Sequence, residues 1–126
     1  MTKLPAGVDI NNLIDDLRIF SWEVADILLF YSKKLKDSNY KEKIIRSENI
    51  EDPVTLADLE VNDLIIKRIN EIYKNVCWEI LSEENVKKSS KGLDLKSKFL
   101  WILDPLDGTK DFIQGSGNYA MHLALN

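Results

Sequence analysis

The sequence is poor in the residues that define several protein classes. It holds one cysteine, Cys77, so no internal disulfide framework can form, and a reducing compartment fits. Five glycines and three prolines exclude collagen-like repeats and low-complexity linkers. There is no surplus of positive charge. Seventeen Lys and Arg stand against 21 Asp and Glu, a formal charge of −4, which gives no general support for binding a nucleic-acid polymer. No run reaches the roughly 18 consecutive apolar residues of a membrane helix. The longest candidate, residues 24–31, is interrupted by Asp26. Residues 1–7 carry one charge with no apolar stretch behind it, unlike a secretory leader, so the expected address is the cytoplasm.

What is present suits one globular domain: 126 residues, 44% hydrophobic and 30% charged. Leu13, Leu17, Phe20, Val24, Ile27, Tyr31 and Leu35 recur at steps of three and four, which predicts an amphipathic helix over residues 9–37. Asp9 is its expected N-cap. Asp15 and Asp16 early and Lys33, Lys34 and Lys36 late suit the helix dipole. Residues 38–53 read as polar and broken, with Ile44-Ile45 as a short strand and Asp52-Pro53 as a turn. A second helix is expected over 55–74, with Leu59, Leu64, Ile65, Ile69 and Ile72 inward and a capping box from Thr55 to Asp58. Three strands follow, at 76–81, 99–103 and 119–125, the first two largely buried. Residues 85–98, with Lys87, Lys88, Lys91, Lys96 and Lys98, read as an exposed, solvated loop. Cys77 is expected in the core and His122 in a structural role. Trp22, Trp78 and Trp101 are expected as core or interface aromatics. The last strand runs to the end of the sequence and leaves the sheet edge unfinished, as in part of a longer protein.

Acids gather beside these strands: Glu83 and Glu84 after the first, Asp104 and Asp107 after the second, Asp58 at the start of the second helix. If the two strands are neighbours, Glu83, Asp104 and Asp107 meet. Pro105 keeps Asp104 extended. The Leu106 carbonyl adds an oxygen, Gly108 permits close approach, and the amides of residues 108–110 can open a helix toward phosphate. Such an all-oxygen set suits Mg²⁺. Taken singly, Asp58 is equally a helix cap, Glu83 and Glu84 loop acids, residues 104–109 a turn, and Thr109 an N-cap.

Together, Trp101-Ile102-Leu103-Asp104-Pro105-Leu106-Asp107-Gly108-Thr109-Lys110-Asp111-Phe112 resembles the signature of the Mg²⁺-dependent, lithium-sensitive inositol monophosphatase superfamily. Pro53-Val54-Thr55-Leu56-Ala57-Asp58 and Leu81-Ser82-Glu83-Glu84 resemble its two upstream motifs, in order. The resemblance covers nearly all of this chain, residues 1–126, but only about the N-terminal half of a family member. It implies a layered α/β (α+β) fold, with long helices packed on a mainly antiparallel sheet.

Within the superfamily, Ser82-Glu83-Glu84 followed by residues 104–112, with Lys110-Asp111 where inositol monophosphatases more often carry Thr-Asn, is most similar to the bacterial 3′(2′),5′-bisphosphate nucleotidases, which hydrolyse 3′-phosphoadenosine 5′-phosphate to AMP in sulfate assimilation. The alternatives are an inositol or other sugar monophosphatase, and a non-catalytic fragment or regulatory module. By resemblance, Glu83, Asp104, the Leu106 carbonyl and Asp107 hold two or three Mg²⁺ ions. Asp58 and Thr109 orient and activate a water, which Glu83 helps to position. Asp107 and the Gly108 and Thr109 amides bind the substrate's phosphate, and Glu84 is supporting or structural. The implied reaction is an in-line displacement on a small phosphorylated substrate, with neither nucleic-acid polymer nor membrane as partner. Homodimers are common in the superfamily. A further family ligand, an Asp in a Trp-Asp motif, does not occur by Asn126, so these 126 residues alone are expected to turn over little or nothing.

Overall fold

The computed structural model describes residues 3–47, 54–88 and 97–126. Helix α1 spans Ile10–Leu35 and is capped by Asp9, whose carboxylate accepts from the Asn12 amide at 3.0 Å. Asp15 and Asp16 fall beyond its first turn, so dipole stabilisation comes from Asp9 and from Lys33 and Lys34 at the far end. The expected stripe faces the core: Leu13, Phe20, Val24, Tyr31 and Leu35 are buried, and Leu17 and Ile27 flank them.

Residues 38–53 are less broken than expected. Asp37 caps a short helix α2, Ser38–Ile44, accepting from the Asn39 amide at 3.0 Å. Ile44 ends that helix and Ile45 opens strand β1, Ile45–Ser47. β1 pairs antiparallel with β2, Val54–Thr55. The expected Asp52-Pro53 turn lies outside the described residues.

Helix α3, Leu56–Ile72, begins with the capping box as read: Thr55 and Asp58 exchange side-chain and backbone hydrogen bonds. Its inner face differs. Ala57, Asp58, Val61, Asn62, Ile65 and Ile69 are buried, whereas Ile72 is 48% exposed and Leu59 and Leu64 are only half-buried. Two polar residues occupy this face, so a hydrophobic count placed its centre wrongly. α3 packs along α1, and side chains tie the pair. Arg68 grips Glu23 with Nε–Oε1 at 3.1 Å and Nη2–Oε2 at 2.6 Å, holding the Glu23 carboxyl below its ordinary pKa. The Tyr73 hydroxyl donates to Asp16 and that of Tyr31 to Glu60.

A three-stranded sheet lies beside the helices in the order β3-β4-β5, made of Glu79–Ser82, Leu100–Asp107 and Ala120–Leu125. β3 and β4 run parallel, with Glu79 opposite Leu100 and Ser82 opposite Leu103; β4 and β5 run antiparallel. β3 starts later than expected because the chain first turns after α3, with the Val76 amide bonded to the Tyr73 carbonyl, and becomes strand only at Glu79. β3 is also half-buried rather than largely buried, apart from Ser82. Cys77 is therefore exposed, not a core thiol. Trp78 stacks edge-on between Tyr73 and Trp101. Trp101 is buried, while Trp22 is 68% exposed and outside the core.

β4 does not stop at Leu103. It continues through Asp104-Pro105-Leu106-Asp107, and its register to β5 shifts between Asp104 and Asp107. Pro105 sits in that irregularity, where a strand can accept a residue without an amide donor. The loop expected after β3 likewise begins as helix α4, Glu83–Lys88. Lys98 is exposed, and Lys91 and Lys96 lie outside the described residues. β5 alternates as read, with Met121, Leu123 and Leu125 toward the core and Ala120, His122 and Ala124 outward. Among the described residues, no helix is long and apolar enough to cross a membrane.

Candidate active site

Three element ends meet here: the start of α3, the β3–α4 junction, and the turn from β4 into α5, Thr109–Gln114. Asp58 is 1% exposed, yet both its carboxylate oxygens are bonded. Oδ2 accepts from the Thr55 amide at 2.8 Å and the Thr55 hydroxyl at 2.7 Å. Oδ1 accepts from the Thr109 hydroxyl at 3.0 Å, 51 residues away in sequence. Asp58 is thus a helix cap on one oxygen and a long-range partner on the other. Burial raises its pKa, opposed by the bonds from Thr55 and Thr109.

Thr109 Oγ1 also lies 3.1 Å from the Leu106 carbonyl. A hydroxyl has one proton for two acceptors. When the proton goes to Asp58, the lone pairs of Oγ1 are held in a fixed direction, ready to accept from a third group.

The acids lie on the neighbouring strand ends. With Ser82 opposite Leu103 in the parallel pair, Glu83 and Asp104 come next. Their carboxyls share a hydrogen bond, and the Asp104 group is pushed up to about 7. Burial is the main cause, followed by the bond to Glu83 and the charges of Glu83 and Asp107. The Leu106 amide donates to Asp104 Oδ1 at 3.3 Å. A shallow cleft opens over Glu83 and Asp104, walled by Leu81, Val86, Ile102 and Leu103. Asp107 stands at the surface with Oδ2 3.9 Å from His122 Nε2, so His122 is an exposed neighbour of that acid. Glu84 is buried.

The structure therefore brings Glu83 and Asp104 into contact, with Asp107 within electrostatic reach. Among the described residues, no three His, Cys, Asp or Glu side chains form a ready set for a metal ion. The donor chemistry nonetheless fits a hard divalent cation, because all the groups are oxygens and their crowded negative charge calls for neutralisation.

Gly108 links these parts. It has φ +85°, and a Cβ there would lie 2.5 Å from the Asn118 carbonyl oxygen. Its own carbonyl accepts from the Phe112 amide at 2.9 Å, starting α5. Gly108→Ala is expected to cost more than about 1 kcal/mol, because an unfavourable φ and a backbone clash add together. Denaturant unfolding checks this; unchanged stability would show that the 108–118 contact is not formed.

Reading by motif missed Asn62 and Ser82, both 1% exposed and hydrogen-bonded to each other beside Glu83. The available signal was spacing: Asn62 stands one turn after Asp58, on the same face of α3.

Comparison with known proteins points to one family. The inositol monophosphatase family model matches residues 16–126. A 3′(2′),5′-bisphosphate nucleotidase CysQ of Haemophilus influenzae is 32% identical over 102 residues, 79% of this chain and 36% of that protein. Inositol monophosphatase 2 of Solanum lycopersicum is 29% identical over 97 residues, 74% of this chain and 36% of its own length. Among solved structures, an IMPase of Thermotoga maritima superposes with a TM-score of 0.66 at 24% identity, covering 90% of this chain and 39% of that one. The chain thus spans about a third of the length of these curated relatives. With the family model matched over 111 residues from position 16 to position 126, the chain belongs to the inositol monophosphatase family.

Proposed function

We propose that this chain is the N-terminal part of a Mg²⁺-dependent phosphomonoesterase that hydrolyses 3′-phosphoadenosine 5′-phosphate to AMP and phosphate in the cytoplasm. The observation that carries the reading is the Asp58–Thr109 hydrogen bond, formed between distant segments beside the paired acids Glu83 and Asp104. The match to the CysQ nucleotidase supports the substrate.

Glu83, Asp104, the Leu106 carbonyl and Asp107 would hold the Mg²⁺ ions. Bound there, such ions supply Lewis acidity to a phosphoryl oxygen and make water easier to deprotonate. The chain's own groups do the orienting. Asp58, held by Thr55, takes the Thr109 hydroxyl proton and aims the Oγ1 lone pairs at the attacking water. Thr109 accepts from that water and fixes its line of approach. The amides of Gly108 and Thr109 donate to the phosphate. The half-buried setting of Asp104 strengthens each charge interaction relative to water.

A second reading, inositol or another sugar monophosphate as substrate, draws on the tomato inositol monophosphatase match, which is of similar extent. Phosphate release by the full-length gene product, with 3′-phosphoadenosine 5′-phosphate and inositol 1-phosphate side by side, separates the two. We expect kcat/KM to favour the nucleotide by at least about tenfold, equivalent to ~1.4 kcal/mol. Preference for inositol 1-phosphate would retain the site and reject the nucleotide assignment. Release from neither would favour a non-catalytic module.

A further inference from the structure

Helix α3 sends two polar side chains into the interior one turn apart, Asp58 and Asn62, each 1% exposed. A buried amide is costly unless its polar atoms are bonded, and those of Asn62 are. Its Oδ1 accepts from the Ser82 hydroxyl. Its Nδ2 donates to Asn85 Oδ1 at 3.2 Å and to Asp63 Oδ1 at 3.3 Å. Ser82 is the last residue of β3, and Asn85 lies in the first turn of α4. Asn62 therefore clasps the chain on both sides of Glu83 and Glu84.

One turn earlier, Asp58 clasps Thr109, just beyond Asp104 and Asp107 on the neighbouring strand. A single helix thus anchors the exits of both parallel strands. Ser82 pairs with Leu103, so these anchors fix where Glu83 stands against Asp104. We infer that Asn62 is a positioning residue: through Ser82 and Asn85 it sets the Glu83 carboxylate against Asp104, so that the pair can hold a divalent cation. The inference rests on the metal-dependent reading above and deepens it.

A tie that only joined α3 to the sheet would lower stability without changing cation affinity. The test is calorimetric titration of Mn²⁺ into the metal-free full-length gene product, with the melting temperature recorded for each variant. Asn62→Ala is expected to weaken Mn²⁺ binding by about 10–100-fold, the usual effect of removing a group that orients a ligand. Ser82→Ala, a smaller change that preserves folding if Asn62→Ala does not, is expected to weaken it in the same direction. The double variant should lose little more than Asn62→Ala alone, because Ser82 acts through its hydrogen bond to Asn62. Val61→Ala is the control, fully buried on the same turn of α3 but directed into the apolar core. It should lower the melting temperature and leave Mn²⁺ affinity within about twofold.

Asn62→Ala and Ser82→Ala proteins that bind Mn²⁺ like the parent would overturn the inference alone. So would a Val61→Ala protein that loses affinity equally, since instability would then be the cause. A parent that binds no Mn²⁺ would overturn the metal-dependent reading together with it.

Discussion

Asp104→Asn is expected to lower Mg²⁺-dependent phosphate release by more than about 100-fold while raising the melting temperature of the metal-free protein at pH 8. Groups that merely orient ligands cost up to about 100-fold when removed, and a ligand itself must cost more. The stabilisation follows from the charges. Burial, Glu83 and Asp107 push the Asp104 carboxyl from 3.8 up to about 7. A carboxyl raised in the folded state favours folding only while protonated, so its ionisation destabilises the fold as pH rises through about 7. Asparagine keeps the acceptor for the Leu106 amide and removes the charge. Because Asp104 is half-exposed, solvent screening leaves a gain of about 1 kcal/mol, or a few degrees. The gain should be largest above pH 7 and absent near pH 4. Thermal melts with chelator at both pH values measure it. A variant that is less stable than the parent at pH 8 would show that Asp104 is not under charge stress.

Asp58→Asn is expected to leave the fold standing and to lower kcat by about 10²–10⁴, with KM little changed. The side-chain oxygen can stay toward Thr55, where two donors fix it. The new amide nitrogen then faces Thr109 Oγ1 and donates to it, reversing the native hydrogen bond. The Thr109 proton turns to the Leu106 carbonyl, 3.1 Å away, and the lone pair that would meet the attacking water is consumed. Thr109→Val, which lacks the hydroxyl altogether, should lose a similar amount, and the double variant little more. Independent, additive losses would show that Asp58 and Thr109 do not act as a pair.

The parts of the fold legible in the sequence were those governed by one local rule. The α1 stripe follows the helical period, the Thr55–Asp58 box follows cap chemistry, and β5 follows strict alternation. The adjacency of β3 and β4, needed to join Glu83 to Asp104, was posed as a condition and is met by a parallel pair. Where two demands fall on the same residues, the pattern misled. The inner face of α3 carries Asp58 and Asn62, so two hydrogen-bonded polar residues displaced the apolar stripe, and Ile72 points outward. The apolar run ends at Leu103 and predicts a strand that stops there, yet β4 absorbs Pro105 in a register shift and carries Asp104 and Asp107 as strand residues. The Asp58–Thr109 bond spans 51 residues and depends on tertiary packing that no local spacing encodes; the family resemblance pointed to it.

The most direct measurement is phosphate release from 3′-phosphoadenosine 5′-phosphate by the full-length gene product, with Mg²⁺ and after chelation, beside the Asp104→Asn protein. The expected result is release that requires Mg²⁺, returns when it is restored, and falls to background in Asp104→Asn. Release that persists under chelation, or that Asp104→Asn leaves intact, would contradict a metal-dependent phosphatase site built on Glu83 and Asp104.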